Sequence, residues 1–157
     1  MQINTMQNDI RDVFAIFHDG SIIDCEGVFT KMTLTIQCNY LAQLINSEFK
    51  NFYVDLIEIN KLDFDPWMNP TDLKKIDFKS HEDYLKADLE ILSAEIKGNY
   101  VLITCNQHDP DSYYSGGDLM VSASNYNLYD HNRNPVTVES LNLICQNYWA
   151  NVKSQKR

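Results

Sequence analysis

The segment Thr30 to Tyr40, "TKMTLTIQCNY", alternates without a break: Met32, Leu34, Ile36, Cys38 and Tyr40 on one side, Lys31, Thr33, Thr35, Gln37 and Asn39 on the other. Successive side chains of a strand point to opposite faces, so this period of two describes an antiparallel strand with one face on a core and one in water. Such a strand needs neighbours on either side and a layer over its apolar face. The rest of the chain supplies candidates for both.

Asp19-Gly20 lies between the apolar runs "DVFAIF" and "SIIDCEG". Asp-Gly between two strand-like runs signals a two-residue type I′ hairpin, which needs positive φ at both central positions. Under that reading His18 and Ser21 in "FHDGSI" flank the turn and face each other across the ladder. Gly98-Asn99 signals a second hairpin, between Leu89 to Ile96 and Tyr100 to Cys105. In "FKNFYVDLIEINKLDFDPW", Phe52 to Ile59 reads as a strand apolar on both faces, and Leu62 to Phe64 as a separate short extended run. The apolar parity of "LMVSASNYNLYDHN" changes between Ala123 and Tyr126, which is what a β-bulge leaves in a sequence.

"PTDLKKIDFKSHEDYLKA" is a polar connector in which Ser80 is placed to cap a short helix through Leu85. Near the C-terminus Leu141, Ile144, Cys145, Tyr148, Trp149 and Val152 recur at helical spacing, after Thr137 as a candidate N-cap. The pattern predicts an amphipathic helix docked on the face formed by Met32, Leu34 and Ile36. Together these elements predict one α+β domain over residues 1–157. Its centre is a bent, mainly antiparallel sheet of about seven strands, sandwich- or barrel-like, with the C-terminal helix packed on it.

A chain of 157 residues buries roughly 70% of its unfolded surface, enough for one core without staples. Its 22 acidic and 13 basic residues leave a net charge of −9. A phosphate backbone or an anionic membrane is repelled by most of such a surface, so the expected partner is a basic protein rather than nucleic acid or a membrane. With no secretory leader pattern and no run approaching the roughly 20 apolar residues of a spanning helix, the expected location is cytoplasmic. Cys25, Cys38, Cys105 and Cys145 show no C-x-x-C spacing and read as free thiols, with no metal or other cofactor implied.

Few patterns carry chemistry. The adjacent pairs His18-Asp19, His108-Asp109 and Asp130-His131 fall in turns or loops, whereas metal-dependent phosphohydrolases with adjacent His and Asp ligands place them on helices. Counted from Asp109, the loop to Asp118 puts Tyr113, Tyr114 and Met120 where an EF-hand needs an oxygen ligand, Gly and Glu. No G-x-S-x-G elbow, dinucleotide fingerprint or phosphate-binding glycine loop occurs. What remains is a set of acidic and aromatic residues suited to a protein interface: Asp63, Asp65 and Trp67 after one strand, and Asp109, Asp111, Tyr113, Tyr114 and Asp118 in the long loop.

In this order, "FHDGSI", "MTLTI", "FYVDL" and "LDFDPW" resemble a set of small bacterial proteins that includes immunity-type partners of polymorphic toxins. The resemblance covers residues 17 to 67, a third of the chain, through an H-D-G hairpin, alternating strands and a closing L-x-F-x-P-W-like element. It implies a protein-binding role and carries over no functional residue. The expectation is a non-enzymatic cytoplasmic domain that neutralises a basic toxin domain by covering it with an acidic surface. Two rivals stay open: a small-molecule-binding or hydrolytic domain using His18, Asp19 and His108 in a concave sheet, and a structural subunit whose exposed aromatics form a homodimer contact.

Overall fold

The computed structural model describes residues 2–68, 78–109, 112 and 114–155. Among the described residues four helices and six strands follow the order α1 (Gln2–Ile16), β1 (Ser21–Val28), β2 (Lys31–Gln37), α2 (Asn39–Ile45), β3 (Asn51–Met68), α3 (Glu82–Leu85), β4 (Leu89–Lys97), β5 (Tyr100–Asn106), β6 (Tyr114–Tyr129) and α4 (Val138–Gln155). All strand pairs are antiparallel, and the order β1-β2-β3-β6-β5-β4 closes into a barrel. A short seam completes it, pairing Ser21 with Glu90 and Ile22 with Leu89. The fold is thus α+β on a bent antiparallel sheet, with six strands where the sequence suggested about seven.

Two readings account for the difference. Phe52 to Ile59 and Leu62 to Phe64 are one strand, β3, whose register against β6 slips by a residue between Ile59 and Lys61. The parity change expected in β6 lies opposite Glu58, which adopts φ 51°. Further slips occur between Ile22 and Asp24 and between Ile91 and Ser93. Each such bulge bends its strand and raises the local twist, which lets six strands close on themselves.

The second reading concerns "DVFAIF", which is helical. Ile10, Val13, Phe14 and Phe17 are all buried, and with half-buried Met6 they recur at spacings of three and four, so one face of α1 enters the barrel's core. The ring of Phe17 lies 4.9 Å from that of Phe52 on β3. Asp19-Gly20 consequently ends a helix and does not join two strands. Asp19 takes φ 66°, while Gly20 has no positive φ and is needed for space: a Cβ there would stand 2.9 Å from the Phe17 carbonyl oxygen and 3.0 Å from Cys38 Cβ. His18 sits in the turn and Ser21 opposes Gln37 and Glu90, so the two do not face each other.

Strand β2 follows its alternation, with Met32, Leu34 and Ile36 buried, but it ends at Gln37. Cys38 starts α2, which buries Leu41 and Ala42 and turns Tyr40 outwards. Helix α4 begins as the sequence suggests: the Thr137 hydroxyl accepts from the Ser140 amide at 3.1 Å, and the Ser140 hydroxyl accepts from the Thr137 amide at 3.3 Å, a reciprocal cap. As the sequence suggests, it packs on the sheet domain: Leu141, its fully buried residue, joins the barrel's core, and the helix also lies against α1 and α2. No helix among the described residues is long and apolar enough to cross a membrane.

Candidate functional site

The end of α1, the first turn of α2 and one side of α4 enclose a groove of about 580 Å³. The local sequence explains each wall. At the end of α1 the amides of Phe17, His18 and Gly20 bond back to Phe14, Ala15 and Phe17, and the Asp19 amide donates to the Ile91 carbonyl at 2.8 Å. This tight ending leaves the side chains of His18 and Asp19 in solvent, His18 Nδ1 lying 3.4 Å from Asp19 Oδ2. From α2, the Tyr40 hydroxyl donates to the His18 carbonyl at 3.2 Å, and its ring stacks on the imidazole at 6.2 Å. From α4 come Cys145, Tyr148 and Trp149, the last two edge to face at 5.3 Å.

Three large aromatic side chains are therefore left open around one groove: Tyr40 is 40% exposed, Tyr148 42% and Trp149 58%. Asp12 and Asp19 give the groove its charge, Asp12 also pairing with Arg11 at 3.0 Å. The groups that could act as nucleophiles are held protonated. Burial pushes the Cys38 thiol up to about 11 and raises that of Cys145. The Tyr40 phenol is raised further, by burial first and then by the neighbouring thiols of Cys38 and Cys145 and by Asp19. A protonated thiol is a weak nucleophile, so this groove offers packing, ring faces, the side chains of Asp12 and Asp19 and the His18 imidazole.

Four of the residues singled out from the sequence meet elsewhere. Asp63, Asp65 and Trp67 alternate along the outer side of β3, and Asp65 is the direct ladder partner of Asp118 on β6. Asp63 is paired with Lys61 at 3.3 Å, and Trp67 covers Gly116, where a Cβ would stand 3.0 Å from the indole. Tyr114 does not join this patch: it is buried with its ring 5.7 Å from both Phe64 and Phe78, so it closes the core and cannot serve as an exposed anchor. Asp109 is exposed beside Gln107, whose Oε1 accepts from the Asp109 amide at 2.9 Å. Asp111 and Tyr113 lie outside the described residues. His108 contacts Glu90 at 3.2 Å, away from the groove that holds His18 and Asp19.

The sequence pattern assigns the groove's aromatic residues to the core, which is why only His18 and Asp19 of its lining stand out there. Tyr40 continues the alternation of β2, and Tyr148 and Trp149 continue the stripe of α4. One signal was present: adjacent residues on a helix point about 100° apart, so Tyr148 and Trp149 cannot both face a narrow contact. Among the described residues no three His, Cys, Asp or Glu side chains are grouped to hold a metal ion. Comparison with family models, with curated proteins and with solved structures finds no match to this chain.

Proposed function

We propose that this protein is a non-enzymatic protein-binding domain and that the groove between α1, α2 and α4 is the surface it presents to its partner. The carrying observation is the convergence of Tyr40, Tyr148 and Trp149, exposed together on two helices. Tyr and Trp dominate the energetics of interfaces, and contiguous exposed apolar surface on a soluble protein marks a contact site. The partner suited to it is basic. Asp12 and Asp19 line the groove, the chain carries nine excess negative charges, and Asp63, Asp65 and Asp118 add a second acidic patch that can steer encounter. The immunity-type resemblance over residues 17 to 67 points the same way and makes a basic toxin domain the partner of choice.

The test is co-expression with the protein encoded next to this one, scored by growth and by co-purification. Wild type should protect and form a complex, and Tyr148→Ala combined with Trp149→Ala should lose both while the protein stays folded. Protection that survives the double variant would overturn the groove as the interface. A homodimer that the same variant dissociates, with no complex in wild type, would favour the structural-subunit reading.

A further inference from the structure

Nearer the start of α1 lies a second cleft, of about 770 Å³, which differs from the groove in the charge and ring content of its lining. Met6 and Gln7 of α1, Asn60 at the register slip of β3, Asn99 in the β4–β5 turn, and Ser122 and Ser124 of β6 contribute to its lining. Among the described residues, no charged and no aromatic side chain lines it. Its volume is in the usual range for small-molecule sites, about 300–1,000 Å³.

The arrangement is built rather than incidental. Gln7 and Ser122 are both more than nine-tenths buried, positions where an apolar residue would ordinarily stand. Gln7 Nε2 donates to Ser122 Oγ at 3.1 Å, while Gln7 Oε1 has no hydrogen-bond partner among the described residues. An unpaired buried carbonyl oxygen is costly to a fold. A fold that retains one beside a cleft holds an acceptor in readiness for a donor from outside the chain. Ser122 and Ala123 are small, so β6 leaves room there, and the slip between Ile59 and Lys61 places Asn60 on the rim.

We propose that this cleft binds a neutral, polyhydroxylated small molecule of saccharide size. A charged ligand would surrender its hydration without meeting an opposite charge. A planar base or other aromatic ligand would find no ring to stack on. Carboxamides and serine hydroxyls each both donate and accept, and the group that answers all of them is the hydroxyl, which does the same. Gln7 Oε1 is sealed from solvent, so one ligand hydroxyl donates to it once the carboxamide swings towards the cleft, and the others exchange bonds with Asn60, Asn99 and Ser124. The site is separate from the protein-binding groove, from which Gln7 is displaced by roughly 13 Å along α1 to Ile16 at 1.5 Å per residue.

The experiment is a titration of the full chain, followed by amide and side-chain carboxamide NMR signals, with glucose, maltose, sucrose and myo-inositol as probes and glucose 6-phosphate as the charged control. Saturable shifts of the Gln7, Asn60 and Asn99 carboxamides with at least one neutral probe are expected, and none with the phosphate. Asn99→Ala, on an exposed turn, should weaken that binding about tenfold, the loss of one well-made hydrogen bond, with an unchanged melting temperature. Gln7→Leu should abolish it and leave the protein folded or more stable. Absence of saturable shifts with every neutral probe in the millimolar range would overturn the proposal. So would equal binding of the phosphate, or full affinity retained in Gln7→Leu.

Discussion

Helices α1 and α4 are close in length, 15 and 18 residues, and both carry apolar stripes, yet they do opposite things. Ile10, Val13, Phe14 and Phe17 of α1 are sealed in the barrel core, whereas α4 seals only Leu141 and leaves Leu143 and Trp149 each 58% exposed. The difference follows from order of claim on one surface. A closed six-strand barrel has a single inner face, and with the stripe of α1 already in its core a second amphipathic helix adds little more than Leu141 to it. Its surplus apolar surface is then available for another molecule. One stripe is spent on folding and the other is retained for contact.

The sharpest way to break that comparison is to truncate α1. Phe14 is fully buried, and removing an aromatic side chain from a packed core costs about 3–5 kcal/mol. Phe14→Ala should therefore lower the urea midpoint severely or prevent folding, while Leu143→Ala on α4 should leave it unchanged. Equal losses in the two variants would mean that the helices share one structural role.

The thiols sharpen the same contrast through pH. Burial raises Cys105 to about 12 and Cys38 to about 11, from an ordinary value of 9.0. For a group whose folded pKa is raised, the stabilisation is fully present below the unfolded value and is lost as pH climbs through the folded one. Stability should fall between about pH 9 and 12, by on the order of 3 kcal/mol for each thiol. Cys105→Ala should flatten that decline in denaturant titrations at stepped pH. Half-buried Cys145 on α4 should meanwhile be the first thiol alkylated in the native protein. Modification of Cys38 or Cys105 at the same rate would show that the core is not sealed.

How much of this was legible is best judged on particular residues. The alternation of β2, the Gly98-Asn99 turn with Gly98 at φ 59° and the Thr137 cap are local, and each appears where the pattern placed it. Helix α1 was hidden because Val13 to Phe17 is a continuous apolar run, which periodicity alone cannot assign to strand or helix. The arbitrating residues, Met6 and Ile10, lie among Asn, Gln and Asp and make no continuous apolar pattern with the run. Tyr40 shows a second limit: alternation continues to it, but the chain has already turned into α2. The groove depends on which helix occupies the barrel face, a competition between distant segments that no local window records.

Gly20 tests the junction where α1 hands over to the barrel. The cause of its conservation of space is contact, not a left-handed turn, since a Cβ would meet the backbone oxygens of Phe17 and Gln37 at 2.9 and 3.0 Å. Gly20→Ala should cost about 1–3 kcal/mol, as overpacking does. A neutral or stabilising result would mean that the end of α1 can move away from β2, and the rigid wall of the groove would be lost with it.

The smallest stability effect belongs to Trp149, and it carries the comparison's meaning. A side chain that is 58% exposed and whose ring meets that of its helix neighbour Tyr148 contributes little to folding, so Trp149→Ala should shift stability within about 0.5 kcal/mol. The emission of the native protein should lose its more solvent-exposed component, leaving Trp67, which is packed over Gly116. In the presence of a basic partner the same variant should cost at least about 2 kcal/mol of binding, the threshold of an interfacial hot spot. A loss of folding stability of that size instead would place Trp149 in the structural account of α4, and the two helices would then differ only in degree. Unchanged stability together with unchanged partner affinity would leave the exposed half of α4 without a role in contact and would move the interface to the acidic face of β3 and β6, where Asp65 and Asp118 oppose each other.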